Sequence, residues 1–93
     1  MLLIEFDPAR ADENRRKHGI DLEQFAEMDL AAAIAIEDTR RDYGETRLRV
    51  LGYIGTRLFA AVITPRGDKI RVISLRRANR REERVYAQAR QSA

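Results

Sequence analysis

The 93-residue chain contains no cysteine. Disulfides, thiolate metal sites and cysteine nucleophiles are thereby excluded, and a reducing cytoplasm fits. No hydrophobic run approaches the roughly 20 residues that a bilayer-spanning helix requires, so no membrane partner is expected. Met1–Leu2–Leu3–Ile4 is apolar, but Glu5 and Asp7 interrupt it and no basic leader precedes it, so no signal peptide is expected either. His18 is the only histidine, and imidazole is the side chain best suited to proton transfer near neutral pH. Without cysteine, and with carboxylates spread among caps and helix surfaces, no metal site is expected. There is no glycine-rich phosphate loop, no Ser/His/Asp order and no zinc-finger spacing. No repeat, low-complexity stretch or linker divides the chain. Its length suits one domain, residues 1–93, around one core.

Charge is what the chain has in excess, and it is divided by sequence half. Residues 1–40 hold ten acidic and five basic side chains, whereas residues 41–93 hold thirteen basic and five acidic. Arginine dominates the second half, in Arg66–Gly67–Asp68–Lys69–Ile70–Arg71 and again in Arg76–Arg77–Ala78–Asn79–Arg80–Arg81. Its planar donor fork grips phosphate in a bidentate manner. A small domain with an Arg-rich face points to a polyanion, nucleic acid first. The acidic half then predicts a second surface, including Glu23, Glu27 and Asp29, that repels RNA and orients it.

Local signals give an order of elements. Leu2–Phe6 reads as a strand. Asp7–Pro8 opens a helix that should run to about His18 and stop at Gly19. Asp21 with Gln24 resembles a capping box for a second, short helix carrying Leu22, Phe25 and Ala26 on its apolar face. Ile34 and Ile36 alternate as a strand. Arg47–Val50 alternates strictly, with Leu48 and Val50 inward. Ile54–Arg57 is a tight turn, Leu58–Ile63 a central strand, Pro65–Asp68 a turn and Ile70–Leu75 the last strand. Asn79 to about Arg90 closes as a helix with Val85, Tyr86 and Ala89 inward. The sum is an α+β domain on an antiparallel meander, with two N-terminal helices and one C-terminal helix.

Alternation also sorts candidate site residues. With Leu48, Val50 and Ile54 in the core, Arg47, Arg49 and Tyr53 share the other face, two guanidiniums and a ring that suit single-stranded RNA or simply form a solvated face. The last strand and its exit add Arg71, Arg76 and Arg77. Arg80, Arg81 and Arg84 face either RNA or partners in a salt-bridged helix surface, with Glu82 and Glu83 at hand. His18 is either a catalytic group or a C-capping side chain, and Glu45 either a general base or an anchor for arginine.

Taken in order, these segments resemble the BrnT toxin family. Phe6–Asp7–Pro8, Asn14, Lys17–His18–Gly19 and Phe25 are similar to its opening, Tyr43–Gly44–Glu45–Thr46–Arg47 and Gly52 to its middle. Thr64–Pro65–Arg66, Ile70–Ala78, Glu82 or Glu83, and Tyr86 are similar to its close. The resemblance spans about residues 4–86. It departs at Phe6, where the family more often has Trp, and at Leu75, where it more often has Ala. It implies a RelE-like fold and a cofactor-free endoribonuclease that arrests translation. It also implies a BrnA-type antitoxin, and operator DNA bound through the toxin–antitoxin complex. In that setting Arg66 and Arg76 cradle the scissile phosphate and His18 or Glu45 moves a proton, with Lys17 as a further cation. Arg47, Arg49, Tyr53, Arg71 and Arg77 position the RNA. The competing expectation is a non-catalytic basic module that holds nucleic acid or docks the antitoxin in promoter autoregulation.

Overall fold

A computed structural model describes residues 3–91. Leu2, the expected start of the first strand, lies outside the described residues. The elements are β1 (Leu3–Glu5), α1 (Pro8–His18), a 3₁₀ helix (Leu22–Glu27), β2 (Ile34–Glu37), β3 (Leu48–Ile54), β4 (Arg57–Arg66), β5 (Lys69–Arg77) and α2 (Arg80–Gln91). The five strands form one sheet in the order β1-β5-β4-β3-β2. Strands β2 to β5 are the expected antiparallel meander, but β1 pairs parallel with β5, so the sheet is mixed. The correction has a physical source: no tight turn ties β1 to a neighbour, and α1 carries the chain away before β2 begins.

Helix α1 has the expected bounds. The Asp7 carboxylate accepts a hydrogen bond from the Ala9 amide at 2.9 Å, Pro8 opens the first turn, and Gly19 ends the helix at φ 69°. The expected second, short helix is present and is wound as a 3₁₀ helix. Gln24 Oε1 accepts from the Asp21 amide at 3.1 Å, while the Asp21 carboxylate is engaged by Arg15 Nε at 2.6 Å.

One sheet face carries the main core. Phe25, Leu22, Val72 and Leu75 are almost wholly buried there, together with Val50, Phe59, Ala61 and Ile63. At Gly52 a Cβ would stand 2.6 Å from Met28 Sδ, so glycine lets the segment after the 3₁₀ helix lie against β3. Asn14 of α1 is buried and bonds to the main chain of β5: Nδ2 donates to the Leu75 carbonyl at 2.8 Å and to Ile20 at 2.9 Å, and the Leu75 amide donates to Oδ1 at 3.0 Å.

The opposite face is covered only in part. Leu51, Leu58, Ala60 and Ala78 are buried there at the α2 end. Helix α2 fully buries no residue; of the three side chains expected inward, Tyr86 is half-buried and Val85 stands over the open sheet face, whereas Ala89 is exposed. The Tyr86 hydroxyl donates to the Ala32 carbonyl at 2.7 Å and its ring meets Tyr53 edge-on at 5.6 Å.

Candidate functional site

The strand registers set out this open face row by row. Ile36 of β2, Arg49 of β3, Val62 of β4 and Ser74 of β5 form one row, and Leu51, Ala60 and Arg76 the next. An irregularity in the β4–β5 pairing between Val62 and Ile63 leaves Ile73 without a partner. This bulge lets Val72 and Leu75 both enter the core while Ser74 and Arg76 face the other way.

These rows floor a cleft of about 450 Å³, within the range of roughly 300–1,000 Å³ usual for ligand sites. Asn79, Arg81, Glu82 and Val85, from α2 and its cap, form one wall, and Arg40 reaches in from the loop after β2. Four guanidiniums therefore meet over an aliphatic floor of Ile36, Leu51, Ala60 and Val62, with Glu82 the one carboxylate on the lining.

The four arginines are not equivalent. Arg76 is held bidentately by Glu82, Nη1 to Oε1 and Nη2 to Oε2, both at 2.8 Å. Glu82 also accepts from the Asn79 amide at 2.9 Å, and Asn79 Oδ1 accepts from the Glu82 amide at 2.9 Å, a reciprocal N-cap of α2. The hydrogen bonds from Arg76 hold the Glu82 carboxyl below the usual carboxylate range, with smaller help from the Asn79 amide and the charge of Arg49. The same bridge raises the Arg76 guanidinium. Arg40 is positioned by buried Asp38, which receives its Nε and Nη2 at 2.9 Å and the Tyr43 hydroxyl at 3.0 Å. These bonds, Arg40's foremost, hold Asp38 far below the usual range. Arg49 and Arg81 make no hydrogen bond or ion pair among the described residues. They are the donors free to meet an anion.

A second, smaller cavity of about 110 Å³ lies where α1 meets β5. Arg10, Lys17, His18 and Ser74 stand on its lining with Glu13, Asn14 and Ile73. Ser74 lines both cavities.

Against the expected set, Arg49 and Arg76 line the cleft, and His18 and Lys17 line the smaller cavity. Arg66 stands at the turn end of β4, six residues from Ala60, the partner of Arg76. At ~3.3 Å per residue that is about 20 Å, so the fold does not bring Arg66 and Arg76 into one cradle. Arg71 shares the face of Arg76 but lies towards the same turn, with Nε 3.6 Å from Glu5 Oε1. Arg77 pairs with core-facing Phe59 and points to the other side. Arg47 lies over the Tyr43 ring at 4.1 Å and 3.4 Å from Glu45, so this trio braces the loop before β3, away from the cleft. Tyr53 is spent on Tyr86. Arg40 and Ser74 escaped sequence reasoning. The Asp38–Arg40 spacing was a signal for the first; nothing local announces the bulge that aims the second.

Among the described residues no group of three or more His, Cys, Asp or Glu is placed to hold a metal ion, and no helix is long and apolar enough to cross a membrane. No curated protein matches the chain. Residues 6–82 match the family model described as "Ribonuclease toxin, BrnT, of type II toxin-antitoxin system". The ordered motifs noted above from Phe6 to Glu82 fall in that span, with Tyr86 just beyond it, and the resemblance they carried is borne out. The chain belongs to the BrnT family of ribonuclease toxins, and with that membership come an RNA substrate and an antitoxin partner.

Proposed function

We propose that the protein is a metal-independent endoribonuclease that arrests translation in the cytoplasm, and that the arginine-lined cleft is where RNA is cut. The observation that carries this is the convergence of Arg40, Arg49, Arg76 and Arg81 over an aliphatic floor on the open face of the sheet. Arg49 and Arg81 bind the scissile phosphate. The base lies on the aliphatic floor. Arg76 joins the phosphate when the substrate displaces part of its bridge to Glu82. Glu82, ionised at neutral pH, accepts the 2′-hydroxyl proton as the 2′-oxygen attacks phosphorus. The P–O5′ bond then breaks, and the departing 5′-oxygen takes a proton from water at the open mouth of the cleft. The products are a 2′,3′-cyclic phosphate and a 5′-hydroxyl end. Guanidiniums already in place stabilise the added charge, and one well-placed donor is worth roughly 10²–10³ in rate.

We read the fold as RelE-like; the antiparallel β2–β5 meander with the N-terminal helices on one face supports this. A BrnA-type antitoxin silences the enzyme by covering the cleft, and the complex contacts operator DNA through the antitoxin. The test is incubation of purified protein with labelled RNA in EDTA. Cyclic-phosphate ends are expected, and Arg49→Ala with Arg81→Ala should slow their formation by at least about 10²-fold. Cleavage by that double variant within threefold of wild type refutes the assignment, and no cleavage by wild type, with RNA still bound, leaves a non-catalytic basic module.

A further inference from the structure

The cavity between α1 and β5 shares one lining residue with the cleft, Ser74. Its volume is about 110 Å³, a quarter of that of the cleft, and admits a phosphate-sized group. Lys17 Nζ is held by Glu13 at 2.8 Å, whereas Arg10 forms no ion pair among the described residues and feels that carboxylate only at longer range. Arg10, the His18 imidazole and the Ser74 hydroxyl make no hydrogen bond among the described residues. The carbonyl end of α1 carries a partial negative charge, which opposes an anion. Of the cations in that last turn, Arg15 is paired with Asp12 and Asp21 and Lys17 with Glu13, which leaves Arg16 to offset it.

We infer that this cavity is a second phosphate subsite, formed by Arg10, His18 and Ser74, for the nucleotide next to the one held in the cleft. The inference rests on the reading of the cleft as an RNA site. The β5 bulge is what makes the path continuous. It sets Ser74 at the crest between the two cavities, and β1 pairs β5 only as far as Arg71, so that pairing stops short of this stretch. A single strand crossing the crest passes one phosphate to Arg49 and Arg81 and the next to Arg10 and His18. The Ser74 hydroxyl donates to the sugar–phosphate between them. Asn14, bonded to both polar groups of the Leu75 main chain, fixes the spacing of α1 from β5 and hence the width of the subsite. The subsite reads the presence of an adjoining nucleotide, so it governs affinity for long substrates and the choice of cleavage position.

The test uses the full chain and 2′-O-methyl RNA, which lacks the attacking hydroxyl, as a dinucleotide that fills the cleft alone and as an octanucleotide of mixed sequence. Arg10→Ala should weaken octanucleotide binding about fivefold and lower the slope of log K against log salt by about 0.7, the share of one phosphate on a single strand. Dinucleotide binding should stay within twofold of wild type. Ser74→Ala should act in the same direction, and the His18 ring proton signals should move with the octanucleotide only. If wild type holds the dinucleotide but Arg10→Ala and Ser74→Ala bind the octanucleotide as wild type does, the second subsite is overturned and the cleft reading stands. If wild type binds neither RNA, the cleft reading falls and takes the subsite with it.

Discussion

Replacing Glu82 by glutamine tests the centre of the proposed chemistry, because this side chain serves the fold, the anion site and the reaction at once. The variant keeps the acceptor for the Asn79 amide, so the α2 cap survives. What is lost is the charge in a bidentate bridge whose two side chains are 15 % and 39 % exposed. After solvent screening such a pair is worth about 1 kcal/mol or less. A domain of this size then melts about 4–8 °C lower. Binding moves the other way. In the wild-type protein Arg76 is already neutralised by Glu82 and releases few counterions on meeting RNA. In Glu82→Gln its fork is free, so affinity for non-cleavable RNA should rise about threefold to tenfold and the salt slope should steepen by about 0.7. Cleavage should fall by about 10²–10⁴, the usual share of a general base.

The three responses are separable by thermal melting, by RNA titration at several salt concentrations and by single-turnover cleavage. Unchanged affinity and slope would show that Arg76 never meets a phosphate. Cleavage at the wild-type rate would remove Glu82 from the proton path, whatever happened to binding. A variant that binds more tightly, cuts more slowly and melts slightly lower is the outcome the geometry requires.

Acid should act on the same bridge. The folded-state pKa of Glu82 lies below its unfolded value, so its contribution to stability is complete above the unfolded value and is lost as pH falls through the folded one. Urea unfolding of wild type and Glu82→Gln should therefore differ near neutrality and converge in acid, and a difference that grows in acid would contradict the assignment. Asn14→Leu leaves the Leu75 amide and the Leu75 and Ile20 carbonyls without their buried partner; at about 1–3 kcal/mol per group the loss should be at least about 3 kcal/mol in urea unfolding. A loss under about 1 kcal/mol would mean that water reaches this seam.

Much of the fold was legible because its signals are local. Asp7–Pro8 and Gly19 bound α1, strict alternation turned Leu48 and Val50 inward, and the apolar run after Leu58 marked the central strand. What stayed hidden depends on partners distant in sequence. The direction of β1 is set by β5, more than sixty residues on. The 3₁₀ winding of Leu22–Glu27 follows from seating Leu22 and Phe25 in the core within a single short segment. Helix α2 has a clear apolar stripe, yet only Tyr86 finds cover, and a stripe cannot report how much of it a neighbour will bury. In the site, strand parity turned Arg49 away from the core. Parity says nothing of distance along a strand, and Arg66, set beside Arg76 by the family resemblance, is held apart from it by the length of the hairpin.

Residues 8–27 supply α1 and the 3₁₀ helix, which cover the core face, whereas the open face gathers Arg49 and Arg76 from β3 and β5, Arg81 from α2 and Arg40 from the loop after β2. Glu23, Glu27 and Asp29 are all exposed on or beside the 3₁₀ helix, on the far side of the sheet from the cleft. They set three negative charges opposite the four guanidiniums of the cleft, in a protein whose net charge is +3. An asymmetry of this kind should turn a polyanion towards the cleft before contact, an effect that weakens once salt shortens the Debye length to about 8–10 Å. Reversing Glu23, Glu27 and Asp29 to lysine leaves the cleft untouched but removes that asymmetry. The association rate with RNA at low salt should then change, with more binding at unproductive positions and a slower rate of cleavage per binding event. At high salt the variant and wild type should converge. Identical cleavage per binding event at low salt would show that the arginines of the cleft orient the substrate unaided.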